Sequence, residues 1–237
     1  MIQEYEGSVF ECKEKENVDC IVNTVNTKGF MGAGIALEFK LRYPDLYKVY
    51  KNKCKKNEII VGRVDFYKGK DGYIINFPTK DDWKFPSKLE WIKLGLRDLK
   101  NKYKKYGIKS IAFPKLGAGK GELIWADVDS LIRNELEDIE DLTIHICLDK
   151  REPKGVEGKM IKILKELDDK NLKEMSINSR ARKKILESEI DRFYKLKSIR
   201  GVGNKTYEKL HKYCYQRAKE DLGHEDKQLK LYEFKDI

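Results

Sequence analysis

Asn23-Thr-Val-Asn26-Thr-Lys-Gly29-Phe-Met31-Gly32-Ala-Gly34-Ile35-Ala-Leu-Glu-Phe39 is the stretch that decides the fold. It follows Cys20-Ile-Val, a short apolar run of the kind a buried strand requires. Ile35–Arg42 then carries apolar residues without a helix breaker, which predicts a helix. A strand, a polar glycine loop and a helix in that order argue for α/β architecture. Gly29, Gly32 and Gly34 let the backbone turn sharply and approach a ligand. A helix starting near Ala33 would aim unpaired amides at a pyrophosphate or ribose. Asn23 and Asn26 both donate and accept hydrogen bonds, which suits sugar hydroxyls. A cap or Asx turn at the strand end accounts for Asn23 equally well.

Alternation of strand and helix continues outward from this stretch. Ile2–Tyr5 and Val9–Phe10 offer one or two N-terminal strands. Pro44 breaks the chain or opens a further helix through Tyr50. Ile59–Tyr67 and Tyr73–Phe77 are β-branched and aromatic and flank a glycine turn, so they predict a strand pair. Ser87 and Glu90 form a capping-box pattern ahead of a helix with Leu89, Ile92, Leu96 and Leu99 on one face, ended by Gly107. Ser110–Phe113 and Leu142–Leu148 predict buried strands on either side of a helix over Trp125–Leu136. The pattern implies a three-layer α/β domain with a central mixed sheet flanked by helices.

Three polar or glycine-rich segments follow strands, where such sheets bind ligands. They are Asn23–Gly34, Asn76–Lys80 and Pro114–Glu122. Leu116-Gly117-Ala118-Gly119-Lys120-Gly121-Glu122 can form an anion-binding nest. It is no P-loop, because Gly121 follows Lys120 where Ser or Thr is required. In Asn76-Phe-Pro-Thr79-Lys80, the lysine lies just past an apolar strand and a rigid proline. Low-dielectric walls depress an amine's pKa and make it nucleophilic. A surface lysine is the plain alternative.

The chain has 237 residues and a formal net charge of +10. That length suits one medium domain, residues 1–150, and a smaller helical one, residues 160–237, joined by a Pro/Gly-containing linker. Basic residues outnumber acidic ones 27 to 24 in residues 1–150 but 13 to 4 in residues 180–219. Such a patch attracts polyanions, although a solvated lysine-rich surface explains it too. Within it, Leu196-Lys-Ser-Ile199-Arg200-Gly201-Val-Gly203-Asn-Lys205 resembles a helix-hairpin-helix turn spanning 190–215. There Arg200, Gly201, Gly203, Lys205 and Lys209 would meet DNA phosphates. A tight glycine turn between packed helices is the alternative. Met160–Leu167 and Ala181–Leu196 predict helices. No window is apolar enough to span a membrane, and no signal peptide is evident. Five scattered cysteines without a CxxC pair favour a reducing, cytoplasmic setting and no metal site. His145, His211 and His224 form no ligand cluster.

Three separated motifs, NTVNTKGFMGAGIALEF, NFPTKDDW and FPKLGAGKGELIWADV, resemble the macrodomain family. They are most similar to its DNA ADP-ribosyl glycohydrolase branch, the antitoxins of DarT–DarG toxin–antitoxin pairs. The resemblance covers approximately residues 1–148. It implies a hydrolase that removes ADP-ribose from DNA by cleaving the N-glycosidic bond to thymidine, with Lys80 catalytic and Asn26 aligning the ribose. Glu122 would carry a proton to assist water. The ADP-ribose site would comprise Asn23, Gly29, Met31, Gly32, Gly34, Ile35 and Thr79, with Leu116, Gly117, Ala118, Gly119, Lys120 and Gly121. It implies no cofactor, with ADP-ribose as ligand or product, and an ADP-ribosyltransferase toxin as partner. Hydrolysis of protein-carboxylate or small-molecule conjugates is one alternative, and non-catalytic ADP-ribose reading another. Two departures stand out. Gly7-Ser8-Val9 replaces a usual Gly-Asp, leaving adenine recognition to Asp19 or backbone groups. Glu122 stands where that branch commonly has glycine.

Overall fold

The computed structural model describes the backbone of residues 1–233 and the side chains of residues 1–223. Residues 234–237 of the expected C-terminal region and the side chain of His224 lie outside the described residues. The chain divides into Met1–Arg151 and a second unit from Glu152 onward.

The first unit is built on strands β1 (Ile2–Tyr5), β2 (Cys20–Asn26), β3 (Asp65–Gly69), β4 (Gly72–Lys80), β5 (Ser110–Phe113) and β6 (Thr143–Cys147). They form one sheet in the order β1-β6-β5-β2-β4-β3. Every pairing is parallel except the hairpin β3–β4, so the sheet is mixed. Helices α1 (Val9–Glu16), α2 (Gly34–Arg42) and α3 (Pro44–Lys55) cover one face, and α4 (Leu89–Lys102) and α5 (Trp125–Leu136) the other.

Period-two alternation along β2 builds both layers. Cys20 and Val22 join Ile92, Leu96 and Leu99 of α4 and Val128, Ile132 and Leu136 of α5 in one buried cluster. Ile21 points the other way, toward Val9 and Phe10 of α1 and Phe39 of α2. Each such side chain contributes about 1.5–3 kcal/mol relative to exposure. All five cysteines are buried and unpaired.

Several local expectations are corrected. Val9–Phe10 is helical, because the Ser8 hydroxyl accepts the Glu11 amide at 3.2 Å and opens α1. Ile59–Val64 forms turns around Gly62, whose φ is +78°, and Val64 gives its amide to the Asp98 carboxylate instead of to a strand. Ser87 does not cap α4; the cap position belongs to Lys88, and the Ser87 amide donates to the Gly121 carbonyl at 2.9 Å.

The second unit contains α6 (Gly155–Glu166), α7 (Asp169–Glu174), α8 (Ser179–Leu186) and α9 (Asn204–Glu233). Here α6 begins five residues before Met160. The helix expected over Ala181–Leu196 breaks after Leu186, where the Ser188 hydroxyl bonds back to the Ile185 carbonyl at 2.8 Å. Only a 3-10 turn, Phe193–Ser198, precedes the glycines. The arrangement is therefore a 3-10 turn followed by a helix, not a pair of α-helices.

Candidate functional site

The three segments singled out in the sequence converge at the carboxyl ends of β2, β4 and β5. The parallel β2–β4 ladder pairs Asn23 with Asn76 and Val25 with Pro78, then shifts register so that Asn26 pairs with Lys80. Thr79 is the residue the shift leaves over, and it is buried. A bulge of this kind bends the strand and re-aims the following side chain.

Lys80 reaches across to the third loop, donating its Nζ to the Lys120 carbonyl. Burial lowers its pKa from the ordinary lysine value, the Glu122 carboxylate pulls it back up, and the Lys120 ammonium pushes it down. Burial thus makes this amine easier to deprotonate than an ordinary lysine's.

Asn26 is 6% exposed, and its amide organises the first loop. Its Nδ2 donates to the Phe30 carbonyl at 2.6 Å, while its Oδ1 accepts the amides of Lys28 and Phe30 at 3.0 and 3.3 Å. Tyr50 of α3, which the sequence did not single out, donates its hydroxyl to the Asn26 carbonyl at 2.5 Å. Burial pushes that phenol up, so it remains a donor. Met31 packs with Val25, Tyr50 and Cys54 in an apolar cluster, which leaves only its backbone to face a ligand. Ile35 is half-buried against a second cluster. Gly32 and Gly34 are exposed, and the first turn of α2 has no side-chain cap, so its amides are available to an anion.

Asn23 is fully buried and donates to Asn76 at 3.1 Å, which in turn donates to Asp65 at 3.1 Å. It supports the strand ends from within. Asp19 immediately precedes β2, at the amino ends of the strands, opposite the end that carries the three loops. Its carboxylate accepts the amides of Lys109 and Ser110. It is a structural cap remote from the loops, which removes it as an adenine reader.

The third loop is a tight backbone cradle. Leu116 anchors it in the core. Gly117 has φ +65°, and a Cβ on Gly121 would stand 2.2 Å from the Gly117 carbonyl oxygen. Ala118 and Gly119 lie between them, with a Cβ at Gly119 meeting nothing within 4 Å. Glu122 adopts φ +64°, a conformation that favours glycine. Ser87, buried behind the loop, bonds to Gly121 and is a supporting residue that local capping chemistry obscured.

In the second unit Gly201 has φ +104°, while a Cβ at Gly203 would meet open space. Arg200 and Lys205 are exposed. Lys209 is exposed as well, and its ammonium donates to the carbonyls of Met175 and Ser176 at 2.9 and 3.3 Å. No cluster of metal-ligating side chains occurs among the described residues, and none of their helices is long and apolar enough to cross a membrane.

A Macro domain family profile matches residues 22–132. The solved macrodomain of Thermus aquaticus DarG superposes with a TM-score of 0.58 at 38% identity, covering 62% of this chain and 97% of that one. The chain belongs to the macrodomain family. Its macrodomain is similar to the DNA ADP-ribosyl glycohydrolase of Thermus aquaticus, with 39% identity over 142 residues, 58% of this chain and 39% of the relative. It is also similar to a DNA ADP-ribosyl transferase–DNA ADP-ribosyl glycohydrolase fusion protein of Thermosipho africanus, with 38% identity over 150 residues, 55% of this chain and 39% of the relative. The chain thus spans about two fifths of the length of these curated relatives. The macrodomain segment supplies the three loops just described.

Proposed function

We propose that the macrodomain hydrolyses the N-glycosidic bond joining ADP-ribose to a thymidine base in DNA. The observation carrying this reading is Lys80, its amine shifted toward the neutral form and held against the glycine loop opposite Asn26. The similarity to DNA ADP-ribosyl glycohydrolases supports the choice of substrate.

In this mechanism the neutral Lys80 amine adds to C1″ of the distal ribose. The bond to the base breaks, and the base leaves with a proton. The sugar opens to a Schiff base, which water hydrolyses to release ADP-ribose and regenerate the amine. The Asn26-ordered loop and the α2 amides hold the sugar and phosphates, and the loop over Gly117–Gly121 closes the other side. Much of the rate comes from this positioning and electrostatic fit. Glu122, whose charge is felt at Lys80, would relay a proton to or from water. Arg200 and Lys205 supply charges for backbone phosphates, and an ADP-ribosyltransferase is the partner that would create the substrate.

The test is release of ADP-ribose from ADP-ribosylated thymidine DNA. Lys80→Ala is expected to slow it on the order of 10²–10⁴-fold. Equal turnover by the two proteins would reject the lysine assignment. Binding of ADP-ribose without turnover of any conjugate would instead identify a reader.

A further inference from the structure

Immediately beyond Lys80 the surface changes character. Phe30, Trp83 and Phe85 are 56%, 51% and 63% exposed, although large aromatic side chains usually seek burial. They come from two loops, yet the rings of Phe30 and Trp83 lie 6.0 Å apart at 57°. The loops are stapled together. The Asp81 carbonyl accepts the Thr27 amide at 3.1 Å and the Thr27 hydroxyl at 2.8 Å. The Asp81 carboxylate accepts the Thr27 hydroxyl at 2.6 Å and the Lys28 ammonium at 3.0 Å. A turn then fixes Trp83 near its tip, with the Lys84 amide on the Asp82 carboxylate at 3.0 Å and the Phe85 amide on the Asp82 carbonyl at 3.2 Å. Ordered backbone beneath exposed rings is a platform rather than a frayed loop.

Charges of both signs border it: Asp81 is paired with Lys28, the Asp82 carboxylate is held in the turn, and lysines follow. The ammonium of Lys84 lies 5.6 Å from the Trp83 ring, and exposed Lys88 follows Phe85 by three residues. Trp83 is the third residue after Lys80, which limits their Cα separation to about 11 Å. Flat aromatic faces interleaved with lysines bind single-stranded nucleic acid, whose unstacked bases lie on the rings while phosphates meet the cations. A closed duplex offers no such faces.

We infer that Phe30 and Trp83 form a stacking platform on the macrodomain for the unpaired bases flanking the modified nucleotide. The inference rests on the proposed hydrolase activity for the identity of the nucleic acid. It assigns a role to residues outside the ADP-ribose pocket.

Two measurements on the full chain test it. The first is anisotropy of an unmodified, labelled single-stranded thymine oligonucleotide. Trp83→Ala and Phe30→Ala are each expected to weaken its binding about tenfold. The second compares release of ADP-ribose from a modified oligonucleotide and from ADP-ribosylated thymidine alone. Trp83→Ala is expected to raise KM for the oligonucleotide about tenfold more than for the nucleoside. Equal KM changes for both substrates overturn the inference. So does oligonucleotide binding that survives Trp83→Ala and is lost in Arg200→Ala/Lys205→Ala. Oligonucleotide binding that depends on Trp83 in a protein unable to cleave either conjugate would support the platform while refuting the hydrolase.

Discussion

Asn26 and Lys80 are register partners at the ends of neighbouring strands, brought opposite each other by a shift that leaves Thr79 over. The pairing joins a residue that shapes the first loop to a residue that touches the third. Asn26→Ala removes three hydrogen bonds within the 26–30 loop. It should lower stability by about 1–3 kcal/mol and weaken ADP-ribose binding as well as turnover. Asn26→Asp, which retains the acceptor and loses the donor to Phe30, should fall between. Chemical denaturation and calorimetric titration check both, and unchanged ADP-ribose affinity in the alanine variant would argue against a loop-ordering role.

The pH dependence follows from the charges around Lys80. The neutral amine is the active form, so turnover rises as pH passes the Lys80 pKa. Burial places that rise below the ordinary lysine value of 10.5. Glu122 pulls the pKa up, so Glu122→Gln should move the rise to lower pH. Lys120 pushes it down, so Lys120→Gln should move the rise to higher pH. Rate profiles of the three proteins decide this, and a common midpoint would assign the rise to another group.

The glycine loop offers a contrast within three residues. Alanine at Gly121 would place Cβ 2.2 Å from a backbone carbonyl, whereas alanine at Gly119 meets nothing within 4 Å. Gly121→Ala should therefore reduce ADP-ribose affinity about tenfold or more, a loss of about 1.4 kcal/mol. Gly119→Ala should bind nearly as well as wild type. Similar affinities for the two variants would show that the loop tolerates rearrangement.

Helix propensity and packing oppose each other at Gly95 in α4. Alanine improves the helix by roughly 1 kcal/mol. Its Cβ would stand 2.4 Å from the fully buried ring of Phe77. Overpacking costs about 1–3 kcal/mol, so Gly95→Ala should be destabilising on balance. Urea denaturation giving a more stable variant would show that the Phe77 ring yields freely.

Much of this fold is legible in short apolar runs. Cys20–Val22 and Ile111–Phe113 read as buried strands because fully buried parallel strands need no polar alternation. Val9–Phe10 was ambiguous because two residues carry no period, and the Ser8 cap decided for helix. Ser87 and Glu90 satisfied a local capping rule, yet the Gly121 carbonyl, distant in sequence, claimed the Ser87 amide. Asp19 is a sequence candidate for adenine recognition, but its carboxylate is engaged by the Lys109 and Ser110 amides at the amino ends of the strands, away from the loops. The meeting of Lys80 with Lys120 depends on strand order and a register shift, neither of which has a local sequence signature. The exposed rings of Phe30 and Trp83 were invisible for the same reason, since burial is set by tertiary contacts.

The position of β2 and β4 has a consequence for durability. Each is flanked on both sides by other strands, with β1 and β3 forming the edges of the sheet. Amides in such inner strands exchange with solvent mainly through global opening, while edges fray at lower cost. Asn26 and Lys80 thus end the two inner strands rather than the edge strands of the sheet. On heating, loss of activity should track cooperative melting of the whole unit, with no earlier inactivation as the sheet edges loosen.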